Sequence, residues 1–490
     1  MAVVDHLGVA VAAVGFPARL LALRVALAPV LRQLPVANAL LAPRIRLGVR
    51  ARHESILQRD LRAGRPVAAR VEPGRMDGDA RRRAAAGAGF VLALAGAVAA
   101  LWPALAPAGS PQRATAPLRL DAPLPQWLAP GARVQVSGWA GAGARVQLRS
   151  RGAVLARARA GRLGRFTLQL RAPARRGRYQ LVLAEGGRRA TLPPLVVRPV
   201  VLAAGGDVNL GESIGSAIEA RGADHPWTSV APVLRATDLA LVNLECAVSN
   251  RGTPVPGKQY VFRGAPGSLA GVARSGVDVV SVANNHSLDY GTEAFLDTLA
   301  HARRAGLRTV GGGADLAAAR KPVILARGGL RFAVLGYSDV RPLGFDAAAG
   351  KPGTARAEPA WIAEDVASAR RRAEVVVVYF HWGTELATTP DARQHAFAEA
   401  ALRAGASVVL GAHPHVLQPL ERRRRKVVAW SLGNFVFGAA SPGTTASGVL
   451  LVGLAADGVR SAELVPARIE GFRPVVDRAR ASRVLRRLAA

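Results

Sequence analysis

Between positions 131 and 199, apolar and polar residues alternate. The runs 133–139, 145–149, 165–170, 179–183 and 195–197 place Val, Leu, Phe, Tyr or Trp largely at every second position. Successive side chains of a strand point to opposite faces, so this period of two predicts half-buried strands. Gly- and Arg-containing turns separate the runs, and the spacing predicts a small all-β sandwich of immunoglobulin-like type. From position 200 the pattern changes. Near-continuous apolar runs at 200–204, 239–242, 277–282, 332–336, 375–380 and 407–410 alternate with helical stretches at 291–305, 360–373 and 390–404. That combination predicts an α/β layered domain with buried sheets. Strands return at 427–430, 449–453 and 463–466, and 476–489 predicts a basic terminal helix.

Residues 84–112 carry no charge, and 84–101 (AAAGAGFVLALAGAVAAL) is long enough for one membrane span. Arg81, Arg82 and Arg83 stand immediately before it. The positive-inside bias then predicts a single-pass signal anchor over 84–108, with the bulk of the chain extracytoplasmic. The resulting plan is an Arg-rich segment 1–83, the anchor 84–108, a Pro/Ala-rich linker 109–130, the β-sandwich 131–199, the α/β domain 200–470 and a basic tail 471–490. Met76, the second of two methionines, offers an alternative start with an ordinary n-region before the apolar run.

Composition changes this picture at two points. Cys246 is the one cysteine, which excludes an intrachain disulfide framework and a Cys₄ zinc site. The chain holds 66 Lys+Arg against 33 Asp+Glu, for a formal charge of +33. Within 201–421, however, 21 basic residues face 21 acids, so the excess belongs to the flanks. No DNA- or RNA-binding motif accompanies it, and nucleic acid is not expected as a partner.

The chemistry gathers where the apolar runs end. In α/β sheets, ligands bind outside the carboxyl ends of strands. Here those ends read Gly206-Asp207-Val208-Asn209, Asn243-Leu244-Glu245, Ala283-Asn284-Asn285-His286 with Asp289, His381-Trp382-Gly383-Thr384-Glu385 and Gly411-Ala412-His413-Pro414-His415. Four of the nine histidines sit in these five loops. Asp207, Glu245, Asn285, His381, His413 and His415 supply the N and O donors that one or two divalent ions need, with Mn, Zn and Mg all compatible. His286, oriented by Asp289, is a candidate acid/base group. The planar fork of Arg263 suits a substrate carboxylate or phosphate.

At these residues the sequence resembles the CapA family of poly-γ-glutamate capsule synthesis proteins, which is related to calcineurin-like metallophosphoesterases. Ala283-Asn284-Asn285-His286 through Asp289-Tyr290-Gly291 and Gly411-Ala412-His413-Pro414-His415-Val416-Leu417-Gln418 carry the resemblance. Val261-Phe262-Arg263-Gly264 and Ser431-Leu432-Gly433-Asn434-Phe435 extend it in family order. The resemblance implies a four-layer α/β/β/α metallophosphatase-like fold and membrane-linked work on a surface polymer. The parent phosphoesterases begin with Asp-x-His, whereas this chain has Asp207-x-Asn209, and their second motif offers Asp where Glu245 stands. The expected function is biosynthesis, export or anchoring of an anionic, poly-γ-glutamate-like capsular polymer, alongside other subunits of a membrane synthase or export complex. The alternative is metal-dependent hydrolysis of a cell-surface polymer. His286, Asp289 and Glu385 are the expected catalytic residues. Arg263, Asn284 and Trp382 are expected to bind substrate.

Overall fold

The computed structural model describes residues 117–439 and 441–489. The Arg-rich segment 1–83 and the anchor expected at 84–108 lie outside those residues. Among the described residues, no helix is long and apolar enough to cross a membrane.

The β-domain consists of two sheets. Arg119–Leu120, Arg133–Trp139 and Arg165–Arg171 form a three-stranded antiparallel sheet. The other sheet has five strands in the order Trp127–Leu128, Arg188–Val197, Gly177–Glu185, Arg145–Ser150 and Ala153–Arg159. Arg165–Arg171 alternates strictly, with Phe166, Leu168 and Leu170 buried and the residues between them exposed. Two features differ from the sequence reading. Ala153–Arg159 is a strand although alanines dilute its alternation. The Pro/Ala-rich linker 109–130 contributes the strands Arg119–Leu120 and Trp127–Leu128, each too short to show a period.

The α/β domain holds two larger sheets. The first has the order Arg308–Val310, Val279–Ser281, Leu239–Leu244, Val200–Val208, Ala446–Ala455, Gly458–Glu470 and Arg473–Val476, with Asn434–Val436 also paired to Val200–Val208. The second runs Val323–Arg327, Leu330–Ser338, Val375–His381, Val408–Ala412, Lys426–Ala429 and Leu420–Arg423. Strand alternation sends one side-chain set of each sheet inward and the other outward. Val200, Leu202 and Ala204 pack with Val375, Val377 and Tyr379 in a core between the sheets. Val201 and Ala203 instead meet the helices Glu212–Arg221, Leu269–Arg274, Gly291–Arg304 and Arg478–Ala489. Val376, Val378 and Phe380 meet the helices Pro359–Arg370 and Ala392–Ala404. The layers are therefore helices, sheet, sheet, helices. Of the tail set apart on charge at 471–490, the described residues are built into the first of these sheets through Arg473–Val476 and into its helical layer through Arg478–Ala489.

The inner core continues into the β-domain without a break, taking in Leu128, Val136, Leu168 and Leu181. Trp127 marks the junction. The Arg198 guanidinium lies 3.6 Å over its ring, and Gly328, in the left-handed region at φ 56°, presses so close that a Cβ there would sit 2.2 Å from the indole.

Gly206 has a comparable constraint next to Asp207. A Cβ there would lie 1.8 Å from the Gly433 carbonyl oxygen. Overpacking of this kind costs about 1–3 kcal/mol. Gly206→Ala is therefore expected to lower unfolding free energy by that amount in denaturant titrations. A variant as stable as wild type would refute the close approach of these strands.

Candidate metal centre

The parallel strands deliver their carboxyl ends to one place. Asp207 pairs in register with Asn243 on one side and Asn434 on the other. His381 pairs with Ala412, one residue before His413. The ends of the two sheets thus face each other across the inner core, and Asp207, Glu245 and His381 are fully buried there. Alternation also explains the neighbour of His381. Val375, Val377, Tyr379 and His381 share the inner face, so Trp382 falls on the outer one.

Three groups of ligand atoms, each within 4.8 Å of one another, overlap here: Glu245, His381 and His413; Asp207, Glu245 and His415; Glu385, His413 and His415. Asp207 Oδ1 accepts from Asn243 Nδ2 at 2.8 Å, and Oδ2 accepts from the His413 backbone N–H at 3.1 Å. His381 Nδ1 lies 3.1 Å from Asn243 Nδ2, so Nε2 is the ring nitrogen that faces the other ligand candidates. That nitrogen lies 2.7 Å from Asn285 Oδ1 and 3.3 Å from Glu245 Oε1. His415 Nδ1 donates to Asn434 Oδ1 at 2.8 Å, which leaves Nε2 free to ligate. His413 and His415 both have left-handed backbones, at φ 99° and 58°. Such conformations cost about 1–3 kcal/mol each and persist where the surroundings enforce them. Leu386, also left-handed, donates its N–H to the Pro414 carbonyl and ties the Glu385 loop to the histidine loop.

The electrostatics fit a divalent cation. Both carboxylate oxygens of Glu245 and His413 Nδ1 are buried without a hydrogen-bond partner, an arrangement that costs free energy unless something else satisfies them. Burial first, and the adjacent Asp207 charge second, hold the Glu245 carboxyl well above the usual range. Burial also raises Asp207, against the opposing pull of His415. Burial pushes the His413 imidazole down to about 3, with His415 and His286 adding to it. His381 is likewise held well below its usual value, chiefly by burial. Neutral imidazoles beside carboxylates, with no Lys or Arg in ion-pair reach among the described residues, are the donor set that a metal ion satisfies. Cys246 is not part of it, since burial pushes its thiol up to about 12.

The other named residues have distinct places. His286 Nδ1 lies 2.6 Å from Asp289 Oδ2 and 2.9 Å from Lys258 Nζ, and its ring stacks on Phe262 with centroids 4.1 Å apart. Asp289 also accepts from the Phe262 N–H at 2.6 Å and from Lys258 Nζ at 2.5 Å. Burial lowers the His286 pKa despite Asp289. Two of the residues expected to bind substrate are buried and bonded internally. Trp382 is fully buried, stacks on Phe380 at 4.4 Å and donates Nε1–H to the Trp430 carbonyl. Asn284 is also buried, and both ends of its amide are spent on Asn243, the Leu244 carbonyl, the His286 N–H and Ser287. Arg263 is exposed and lies over the Tyr290 ring at 4.2 Å, lining a cleft with Glu212, Glu219, Ser249 and Asn250. None of the ligand candidates lines that cleft. Asn209 accepts the Gly211 N–H and donates to Glu212. Lys258, Asn243 and Asn434 received no role from sequence. Asn243 and Asn434 belong to quoted motifs, whereas an isolated lysine in a loop gives no pattern to read.

Residues 201–439 match the family described as bacterial capsule synthesis protein PGA_cap. That span includes every ligand candidate and excludes the β-domain. The PGA biosynthesis protein CapA of Bacillus subtilis (strain 168) is 33% identical over 271 residues, covering 55% of this chain and 71% of that protein. The capsule biosynthesis protein CapA of Bacillus anthracis is 30% identical over 292 residues, covering 58% and 71%. A probable polyglutamine synthesis accessory protein of Mycobacterium tuberculosis (strain ATCC 25618 / H37Rv) is 31% identical over 224 residues, covering 43% and 59%.

The sign of the pH response follows from these shifts. The raised Asp207 and Glu245 carboxyls add stability to the metal-free fold at low pH, and it is lost as pH rises through their raised values. His413 works oppositely: its contribution is present above 6.5 and is lost as pH falls toward about 3. An ion needs the carboxylates deprotonated and displaces their protons. The rise in melting temperature on adding Mn²⁺, Zn²⁺ or Mg²⁺ is therefore expected to be larger at pH 8 than at pH 5. Glu245→Gln should raise the metal-free melting temperature at pH 8 and shrink the metal-dependent rise. Equal rises at both pH values would contradict the assignment.

Proposed function

Because this chain belongs to the CapA family of capsule synthesis proteins, we propose that it acts in biosynthesis, export or anchoring of a poly-γ-glutamate-like capsular polymer, through a metal centre at its strand ends. The observation that carries the proposal is the set of buried, unpartnered donor atoms on Glu245 and His413 among converging ligand candidates. Asp207, Glu245, Asn285, His381, His413 and His415 would hold one or two ions, with Glu385 at the exposed edge. The two-sheet layering supports a metallophosphatase-like reading of the domain. The apolar segment 84–108 would anchor the chain with its bulk outside the membrane, beside other subunits of the polymer machinery.

A divalent ion held there would supply Lewis-acid polarisation of a carbonyl or phosphoryl oxygen and acidify bound water. The chain's own residues do the rest. Asp289 holds His286 with Nδ1 protonated, so the unprotonated Nε2 is the atom that takes up a proton from a reacting group. Lys258 neutralises Asp289 and fixes it, and stacking on Phe262 fixes the ring plane. The low basicity of His286 keeps Nε2 available at neutral pH. This dyad supports the hydrolytic reading within the polymer pathway, acting on an amide or phosphoester bond.

The test is complementation in a poly-γ-glutamate-producing bacterium that lacks its own copy. Substituting His413→Ala together with His415→Ala is expected to abolish polymer while the protein still copurifies with its membrane complex. Full polymer production by that variant would refute a metal-dependent role. Loss of complex assembly in place of polymer chemistry would reassign the metal to a scaffold.

A further inference from the structure

The β-domain lies outside the span matched to the family. Residues 117–198 hold 16 arginines against two acids, Asp121 and Glu185. Both acids are engaged, Asp121 with Arg165 and Glu185 with Arg188 and the Gly141 N–H.

The register of the five-stranded sheet collects five of these arginines on one face. Arg145 stands directly opposite Arg159, and Gln147 opposite Arg157. Gln147 also faces Ala184, which faces Arg189. Arg149 lies two residues beyond Gln147 and shares the face. Val146 and Leu148, which alternate with these residues, are buried, so the arginine face is the outer one. Arg145, Arg157, Arg159 and Arg189 are exposed. Among the described residues, none of these five arginines has a carboxylate within ion-pair distance. Like charges directly opposite on a sheet destabilise it, so the Arg145–Arg159 pair is a cost to the free domain.

Neighbouring strands are about 4.8 Å apart and same-face residues about 6.8 Å apart along a strand, so these cations form a two-dimensional array. An array of guanidinium forks matches a chain bearing a repeated carboxylate better than it matches one small anion. A membrane surface fits less well. Interfacial binding buries an apolar face, and the exposed large apolar side chain of this domain, Leu163, lies in the turn after Ala153–Arg159 and not on the arginine face.

We propose that this outer face, built on Arg145, Arg149, Arg157, Arg159 and Arg189, docks a linear polycarboxylate, the polymer of the capsule pathway. The identity of the polymer rests on the functional reading above, whereas the docking does not require the metal centre. The array would hold an acidic chain by electrostatic attraction and counterion release, which makes the binding salt-sensitive.

The experiment is fluorescence anisotropy of labelled poly-γ-glutamate titrated with the full chain at low and high salt. Wild type is expected to bind more weakly at high salt. The combined variant Arg145→Gln, Arg157→Gln, Arg159→Gln, Arg189→Gln is expected to bind about tenfold or more weakly at low salt, with a flatter salt dependence. It should melt no lower than wild type and take up divalent metal equally. Unchanged affinity in the variant overturns the proposal. So does wild-type affinity for phosphatidylglycerol vesicles or duplex DNA equal to that for the polymer. If wild type takes up metal and supports polymer production but does not bind the polymer, the docking surface fails and the functional reading stands. If it binds through these arginines while the His413 and His415 variant still makes polymer, the functional reading fails and the docking surface stands.

Discussion

Two carboxylates are buried where the carboxyl ends of two sheets meet, and among the described residues no lysine or arginine stands within ion-pair distance of either. Taking a charge out of water without a partner is among the larger penalties a fold can carry. Asp207 recovers part of it through Asn243 and the His413 N–H. Glu245 recovers almost none, since neither of its oxygens accepts a hydrogen bond. The surrounding histidines add little positive charge, because burial keeps His381 and His413 neutral. A cation at its centre would satisfy these donors, as protonation of the raised carboxyls does at low pH.

The layered architecture makes that possible. Parallel strands end together, so residues distant in sequence reach one point without long loops. Alternation along Val375–His381 then sorts adjacent residues into different jobs: His381 faces the site, and Trp382 anchors the helical layer through Phe380 and Trp430. Strain is concentrated in the same place, at the left-handed backbones of His413 and His415. The layer of asparagines behind the ligands, Asn243, Asn284 and Asn434, spends its amides on orientation.

Much of this was legible in the sequence because the relevant signals are dense. Apolar runs marked the central strands, and polar residues clustered immediately after them. What escaped has physical causes. Ala153–Arg159 buries only the small Ala156 fully, so its alternation has low contrast. Two-residue strands such as Trp127–Leu128 have no period at all. Trp382 and Asn284 lie within polar, motif-rich loops, and only the direction of the side chain separates a ligand-facing residue from a buried support. Lys258 joins His286 and Asp289 through a loop contact 28 and 31 residues away in sequence, which no local pattern encodes. The charge excess divides in the same way: balanced around the metal centre, and arrayed on the β-domain where sheet register and not sequence spacing sets the neighbours.

The central claim is that Glu245, Asp207 and the histidines hold a metal ion. Metal content of the purified full chain, measured by plasma mass spectrometry after dialysis against chelator-free buffer at neutral pH, tests it most directly. The account predicts a stoichiometric divalent transition metal or magnesium ion in wild type and its loss in a combined Asp207→Asn, Glu245→Gln variant that remains folded. A wild-type chain that takes up no divalent metal, or a variant that retains it in full, would contradict the account.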